Sequence, residues 1–340
     1  MRLLIITQAV DKNDPILGFF HRWIEEFAKQ YDHLHVVCLK KGEYSLPQNV
    51  SVHSLGKETR RSRVRYVIRF YHYAWKFRHE YDAVFVHMNQ EYILLGGLLW
   101  QLLGKRVYLW RNHYAGTFLT DIAAAFCTKV FCTSKHSYTA KYKKTVLMPV
   151  GVDTDIFKPA PGVVREPRSV LFFGRISPSK RPGVLLEALG ILRTKGFNFA
   201  ATFCGPGEGT YIGGLKEKVR VFDIAESVVF QDGIPHSEAP HLFSAHKVYV
   251  NCSPSGMYDK SILEAAACGC LVLAASSDFA EHVPRELVLE TVEPNDCAER
   301  IAAALTVTEE EHRDWRIALE TLVRQNNLRT LMERLFVGLS

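Results

Sequence analysis

Short apolar runs separated by longer amphipathic stretches recur along the whole chain, and this alternation narrows the fold more than any other feature. Leu3 to Ile6, Leu34 to Leu39, Ala83 to His87, Arg106 to Trp110, Val130 to Cys132 and Val146 to Met148 read as strands, while Phe19 to Gln30 and Val64 to Glu80 read as helices. Strand and helix in alternation predict a parallel sheet covered on both faces. The pattern restarts after Pro159-Ala160-Pro161-Gly162, with strands at Val170 to Phe173, Phe199 to Phe203, Ser227 to Gln231, Lys247 to Asn251 and Leu271 to Ala274. The proline-rich stretch is the expected linker. The prediction is an α/β protein of two Rossmann-like doubly wound domains, residues 1–158 and 159–324, and 340 residues suffice for two full cores. Ligands of such folds bind at the carboxyl ends of the strands, so the expected active site is the cleft between the domains.

Several function classes drop out. A net charge of +6 without a basic tail argues against a nucleic-acid partner. The first strand is followed by Gln8-Ala9-Val10-Asp11-Lys12-Asn13-Asp14-Pro15, which lacks G-x-G-x-x-G and disfavours a nicotinamide enzyme. Arg2 to Thr7 reads as a strand, not an export signal, and the longest apolar run, Tyr92 to Leu103, is too short to span a bilayer. The eight cysteines are read as reduced, in a cytoplasmic protein, and Cys268-Gly269-Cys270 has no matching Cys/His pair for zinc. No metal and no cofactor is expected.

Chemistry concentrates at two turns. Gly174-Arg175-Ile176-Ser177-Pro178-Ser179-Lys180 leaves a strand and opens a helix, which suits it to phosphate: Arg175 offers a planar fork and Lys180 a mobile point charge. Two cations here can replace a divalent metal and stabilise a departing diphosphate; the competing reading is a pair of solvated cations. Ser253-Pro254-Ser255-Gly256 leads into Lys260-Ser261-Ile262-Leu263-Glu264-Ala265, where Glu264 is placed to accept two ribose hydroxyls or, alternatively, is a helix-terminus acid. Gly205-Pro206-Gly207 follows a strand and either brings backbone near a nucleotide base or is a plain turn. Trp110-Arg111-Asn112-His113 ends a strand, and His113 is read as a hydrogen-bonding partner of a sugar or acceptor, against a structural histidine. Gly151 and Asp153, just before the linker, either border the expected cleft or form an ordinary turn.

These residues resemble the retaining, nucleotide-sugar-dependent glycosyltransferases of family 4, which share the GT-B architecture of two facing Rossmann-like domains. The resemblance is carried by Pro149-Val150-Gly151-Val152-Asp153 with Phe157, Gly174-Arg175 with Lys180, Gly205-Pro206-Gly207, Phe230 with Gly233, and Leu263-Glu264-Ala265 followed by Cys268-Gly269. It implies that Arg175 and Lys180 hold the diphosphate, Glu264 the ribose and His113 the sugar or reaction centre, with Gly174, Gly205, Gly207, Asp259, Ser261, Ile262 and Leu263 around the donor. It also implies that a C-terminal helix, about residues 325–340, crosses back onto the first domain. The family's glutamate eight positions before Glu264 is Gly256 here, with Asp259 the nearest carboxylate, and its paired glycines in the first loop are replaced by Leu17-Gly18.

The resulting expectation is retaining transfer of a sugar from a nucleotide-diphosphate donor, UDP-linked first and GDP-linked next, to a glycan or lipid-linked acceptor in cell-surface polysaccharide or glycolipid synthesis. The alternatives are a silent nucleotide-sugar-binding subunit and a nucleotide-sugar epimerase of the same fold. Lys57 to Asp82 is dense in arginine and aromatics, including Arg60, Arg61, Arg63, Arg65 and Arg69. It reads either as a face for the anionic inner surface of the cell membrane or as a solvated helix.

Overall fold

A computed structural model of the chain describes residues 2–59, 62–256 and 258–340; Arg60 and Arg61 of the arginine-rich stretch lie outside the described residues. The chain divides into two compact units, residues 1–148 with 334–340, and residues 149–333. The expected linker at Pro159 to Gly162 therefore falls inside the second unit.

The first unit runs β1 (Leu3–Val10), α1 (Phe19–Gln30), β2 (Leu34–Lys41), β3 (Val50–Ser54), α2 (Arg63–Lys76), β4 (Ala83–His87), α3 (Glu91–Leu102), β5 (Arg106–Trp110), α4 (Phe118–Phe126), β6 (Lys129–Cys132) and β7 (Thr145–Leu147). Its strands form one parallel sheet in the order β3-β2-β1-β4-β5-β6-β7. The strands flanking the change of direction, β1 and β4, are almost wholly apolar and buried, which is what helices on both faces require.

The second unit runs β8 (Glu166–Phe173), α5 (Pro182–Thr194), β9 (Ala200–Cys204), α6 (Gly209–Val221), β10 (Val228–Gln231), α7 (Ala239–Ala245), β11 (His246–Asn251), α8 (Lys260–Ala267), β12 (Leu271–Ala274), α9 (Ser277–Ala280), α10 (Pro294–Thr306) and α11 (Glu309–Gln325). Its parallel sheet has the order β10-β9-β8-β11-β12, so the direction of winding reverses between β8 and β11. The polar turns that follow those two strands flank that reversal, where an open sheet leaves a crevice.

The last helix, α12 (Leu328–Leu339), is divided: its residues to Glu333 belong to the second unit and those from Arg334 to the first. Within the first unit, Tyr108 Oη donates to Leu339 O at 2.8 Å, Lys129 Nζ donates to Gly338 O at 2.8 Å, and the Phe336 ring packs edge-on against Phe27. All eight cysteines are buried free thiols. Among the described residues no helix is long and apolar enough to cross a membrane.

Candidate functional site

The turn after β8 is shaped by the turn after β9. Gly174 N donates to Cys204 O at 3.0 Å and Ile176 N to Pro206 O at 2.8 Å, so the two loops run side by side. Gly205 has φ of 153°, and a Cβ there would stand 1.9 Å from Gly174 O; only glycine fits. Ile176 returns to the core, while Arg175 is exposed, with no hydrogen-bond or ion-pair partner among the described residues. An unpaired guanidinium on a turn braced from behind is suited to an anionic ligand.

Lys180 sits one short turn further on. Its Nζ donates to both Asp259 oxygens at 2.5 Å, across the point where the winding reverses. Asp259 Oδ2 also accepts from Ser253 Oγ at 2.6 Å and Asn251 Nδ2 at 3.0 Å. Burial pushes this carboxyl up, and the charge and hydrogen bond of Lys180, with those of Ser253 and Asn251, outweigh it and hold the carboxyl below its ordinary value. Asn251 Nδ2 reaches Tyr249 Oη at 3.1 Å, and Tyr249 Oη pairs with Ser261 Oγ at 2.8 Å, which fixes the start of α8.

A second cluster lies along α8. Glu264 is 3% exposed, and its Oε1 accepts from His236 Nε2 at 3.0 Å. The His236 ring packs on Phe157, with centroids 4.8 Å apart. Lys260, one turn before Glu264, donates to Val150 O at 3.0 Å and to Gly151 O. Burial lowers Lys260 to about 8, against the attraction of Glu264 and Asp153. Gly151, at φ of 79°, faces Leu331, where a Cβ would stand 2.2 Å from Cδ2, and its N–H donates to Asn326 O at 2.9 Å.

The structure thus brings Gly174, Arg175, Lys180, Gly205, Gly207 and Asp259 around one end of the second sheet, with Ser261, Glu264, Gly151 and Asp153 on or beside α8. Ile262 and Leu263 are buried in the core at 1% and 0% exposure, so only their backbone could face a ligand. In the first unit, Asn112 Oδ1 accepts from Ser137 Oγ at 3.1 Å and Thr133 N at 3.3 Å, tying β5 to the turn after β6. His113 Nδ1 accepts from Ala115 N at 3.0 Å; its Nε2 has no partner among the described residues. Gly18 precedes α1 with ordinary helical dihedrals, in a loop braced by Asp14 Oδ1 accepting from Leu17 N at 2.8 Å.

Four residues with contacts at or beside these sites were given no role of their own by the sequence reading: His236, Asn251, Tyr249 and Arg111. Arg111 donates Nη2 to Ala115 O at 2.8 Å, its Nη1 is buried without a partner, and burial lowers its pKa. A polar residue closing an apolar strand was the available signal for Asn251 and Arg111; nothing local marks His236.

The two parallel sheets, each wound in both directions, place the protein in the GT-B class of α/β folds. The same fold is seen in the structure of Anabaena HepE in complex with UDP and glucose, at a TM-score of 0.80 and 18% identity over 100% of this chain and 99% of that one. The family models "Glycosyl transferases group 1" and "Glycosyl transferase 4-like" match residues 167–308 and 16–120, and the chain belongs to these family-4-like glycosyltransferases. Among curated relatives, a D-inositol 3-phosphate glycosyltransferase of Kineococcus radiotolerans is 30% identical over 57% of this chain and 47% of that protein. A GDP-mannose-dependent alpha-(1-6)-phosphatidylinositol monomannoside mannosyltransferase of Mycolicibacterium smegmatis is 32% identical over 38% of each. The chain spans less than half the length of these two relatives.

Proposed function

We propose that the protein transfers a sugar from a nucleotide-diphosphate donor, UDP-linked first and GDP-linked next, to a glycan or lipid-linked acceptor, with retention at the anomeric carbon and without a metal. The observation that carries this reading is the free, exposed Arg175 beside the Lys180–Asp259 pair, on loops braced by Gly205. The donors in the names of similar proteins, UDP-glucose in one HepE complex and GDP-mannose in the mycobacterial mannosyltransferase, support the choice of bases.

In this reading Arg175 and Lys180 hold the diphosphate, Glu264 the ribose, and His113 Nε2 a sugar or acceptor hydroxyl. The bond between the anomeric carbon and the diphosphate oxygen breaks while the acceptor oxygen bonds the same face of that carbon. The acceptor proton passes to the departing phosphate oxygen, whose growing charge the two cations stabilise. The acceptor half is assigned to the inner face of the cell membrane, through the stretch from Lys57 to Asp82.

The test is a thermal-shift panel of UDP, GDP, ADP and dTDP with their sugar conjugates, followed by product NMR with the donor that binds. Ligand at about 100 times its dissociation constant adds about 2.7 kcal/mol. Failure of every diphosphate to shift the melting point overturns the donor site; an inverted product overturns the mechanism.

A further inference from the structure

Helix α2 buries Phe70 and Ala74 fully and turns a second apolar face outward. Val64, Ile68, Tyr71 and Trp75 follow at intervals of four, three and four, which lines them along one stripe of an α-helix. Helix α3 sets Leu98 and Leu102 alongside, and the two helices are joined where Tyr71 Oη donates to Leu95 O at 2.7 Å. These six side chains range from 40% exposed at Tyr71 to 77% at Leu102. An apolar surface of this continuity on a compact unit marks a docking face.

The charge along α2 is cationic, and acids follow only at Glu80 beyond its end and at Glu91 at the start of α3, with Asp82 between them paired to Arg2. Arg63, Arg65, Arg69, Lys76 and Arg78 lie on α2 or just after it, and no Asp or Glu occurs from Thr59 to His79. Arg63 and Arg65 have no acidic partner among the described residues. The Arg78 guanidinium stands 4.4 Å from the centre of the Trp75 ring, which couples a cation to an aromatic side chain suited to headgroup depth.

We propose that the α2–α3 face docks on a bilayer carrying anionic lipid, with the apolar stripe entering the interface and the flanking cations meeting lipid phosphates. The proposal rests on the transferase reading only for what it delivers, a lipid-linked acceptor; the docking is read without turnover. A cationic flank along α2 beside the exposed Trp75 and Tyr71 fits an anionic headgroup layer, whereas it would repel a second copy of the same face.

Co-sedimentation with phosphatidylcholine vesicles, with and without phosphatidylglycerol, tests this at low salt and at about 1 M salt, where screening acts within about 3 Å. The protein is expected to pellet with anionic vesicles at low salt and to be released by high salt. The triple variant Arg63→Ala/Arg65→Ala/Lys76→Ala is expected to lose on the order of 100-fold in partitioning, and Ile68→Ser/Trp75→Ser to lose binding with its melting point kept. No pelleting at low salt, equal pelleting with neutral vesicles, or an unaffected triple variant overturns the proposal. A concentration-dependent dimer abolished by Trp75→Ser, without vesicle binding, overturns it in favour of a second copy. If vesicles bind and no nucleotide diphosphate does, the transferase reading fails and the docking stands.

Discussion

Lys180 Nζ lies 2.5 Å from each carboxylate oxygen of Asp259, joining the turn after β8 to the turn that opens α8. Ser253 and Asn251 donate to the same carboxylate, so Asp259 has three donors within the protein. This arrangement makes it the group that aims Lys180. It also leaves Arg175 as the cation whose charge is uncompensated.

Asp259→Asn is therefore expected to lower diphosphate affinity about tenfold and stability by about 3 kcal/mol, because three donors lose a charged acceptor. Lys180→Ala is expected to be non-additive with it, by more than about 0.5 kcal/mol in a double-mutant cycle read by UDP or GDP titration. Strictly additive losses would separate the two residues functionally.

Arg175→Ala touches an exposed side chain with no partner among the described residues, so its stability is expected to stay within about 0.5 kcal/mol of wild type. Diphosphate affinity is expected to fall between about 10-fold and 100-fold, the range of one or two charge-assisted hydrogen bonds. Calorimetry on both proteins decides; unchanged affinity removes Arg175 from the site.

Gly205→Ala places a methyl 1.9 Å from Gly174 O and is expected to cost more than about 2 kcal/mol together with nucleotide binding. Gly213 in α6 has nothing within 4 Å of the same added atom, and Gly213→Ala is expected to stabilise by up to about 1 kcal/mol. Chemical denaturation of the pair separates a steric requirement from a general intolerance of added side chains.

How much of this was legible depended on the range of the interaction. The bounds of β4, β5 and β12 follow directly from continuous apolar runs, since a strand buried on both faces leaves no polar interruption. β3, Val-Ser-Val-His-Ser, is half-buried throughout at the sheet edge, and its mixed composition concealed it. The unit boundary escaped because Gly151 N and Val152 N bond to Asn326 O and stitch residues 149–152 into the second unit, which no local composition shift announces. At the site, Arg175 was readable from a strand followed by a glycine turn. The pairings Lys180–Asp259 and His236–Glu264 span 79 and 28 residues and are set by the order of strands, not by any pattern a single sequence displays.

The final prediction concerns acid stability of the first unit. His53 Nε2 lies 3.3 Å from His35 Nδ1, and its ring packs 4.6 Å from Phe77 and 5.0 Å from Tyr73. Burial, then the neighbouring His35, Lys76 and His33, push His53 down to about 4, with Glu80 opposing. Burial likewise lowers His35, against its hydrogen bond to Glu80. The fold thus favours neutral imidazoles, while the unfolded chain takes up protons near pH 6.5. Stability is accordingly full above that value and lost as pH falls from about 6.5 towards 4. His53→Phe keeps the ring contacts and removes the titration, so its stability is expected to be about 1 kcal/mol lower at pH 7.5, from the lost contact with His35, but flatter down to pH 5. Urea unfolding of both proteins across that range checks this, and parallel curves would assign the acid sensitivity to other groups.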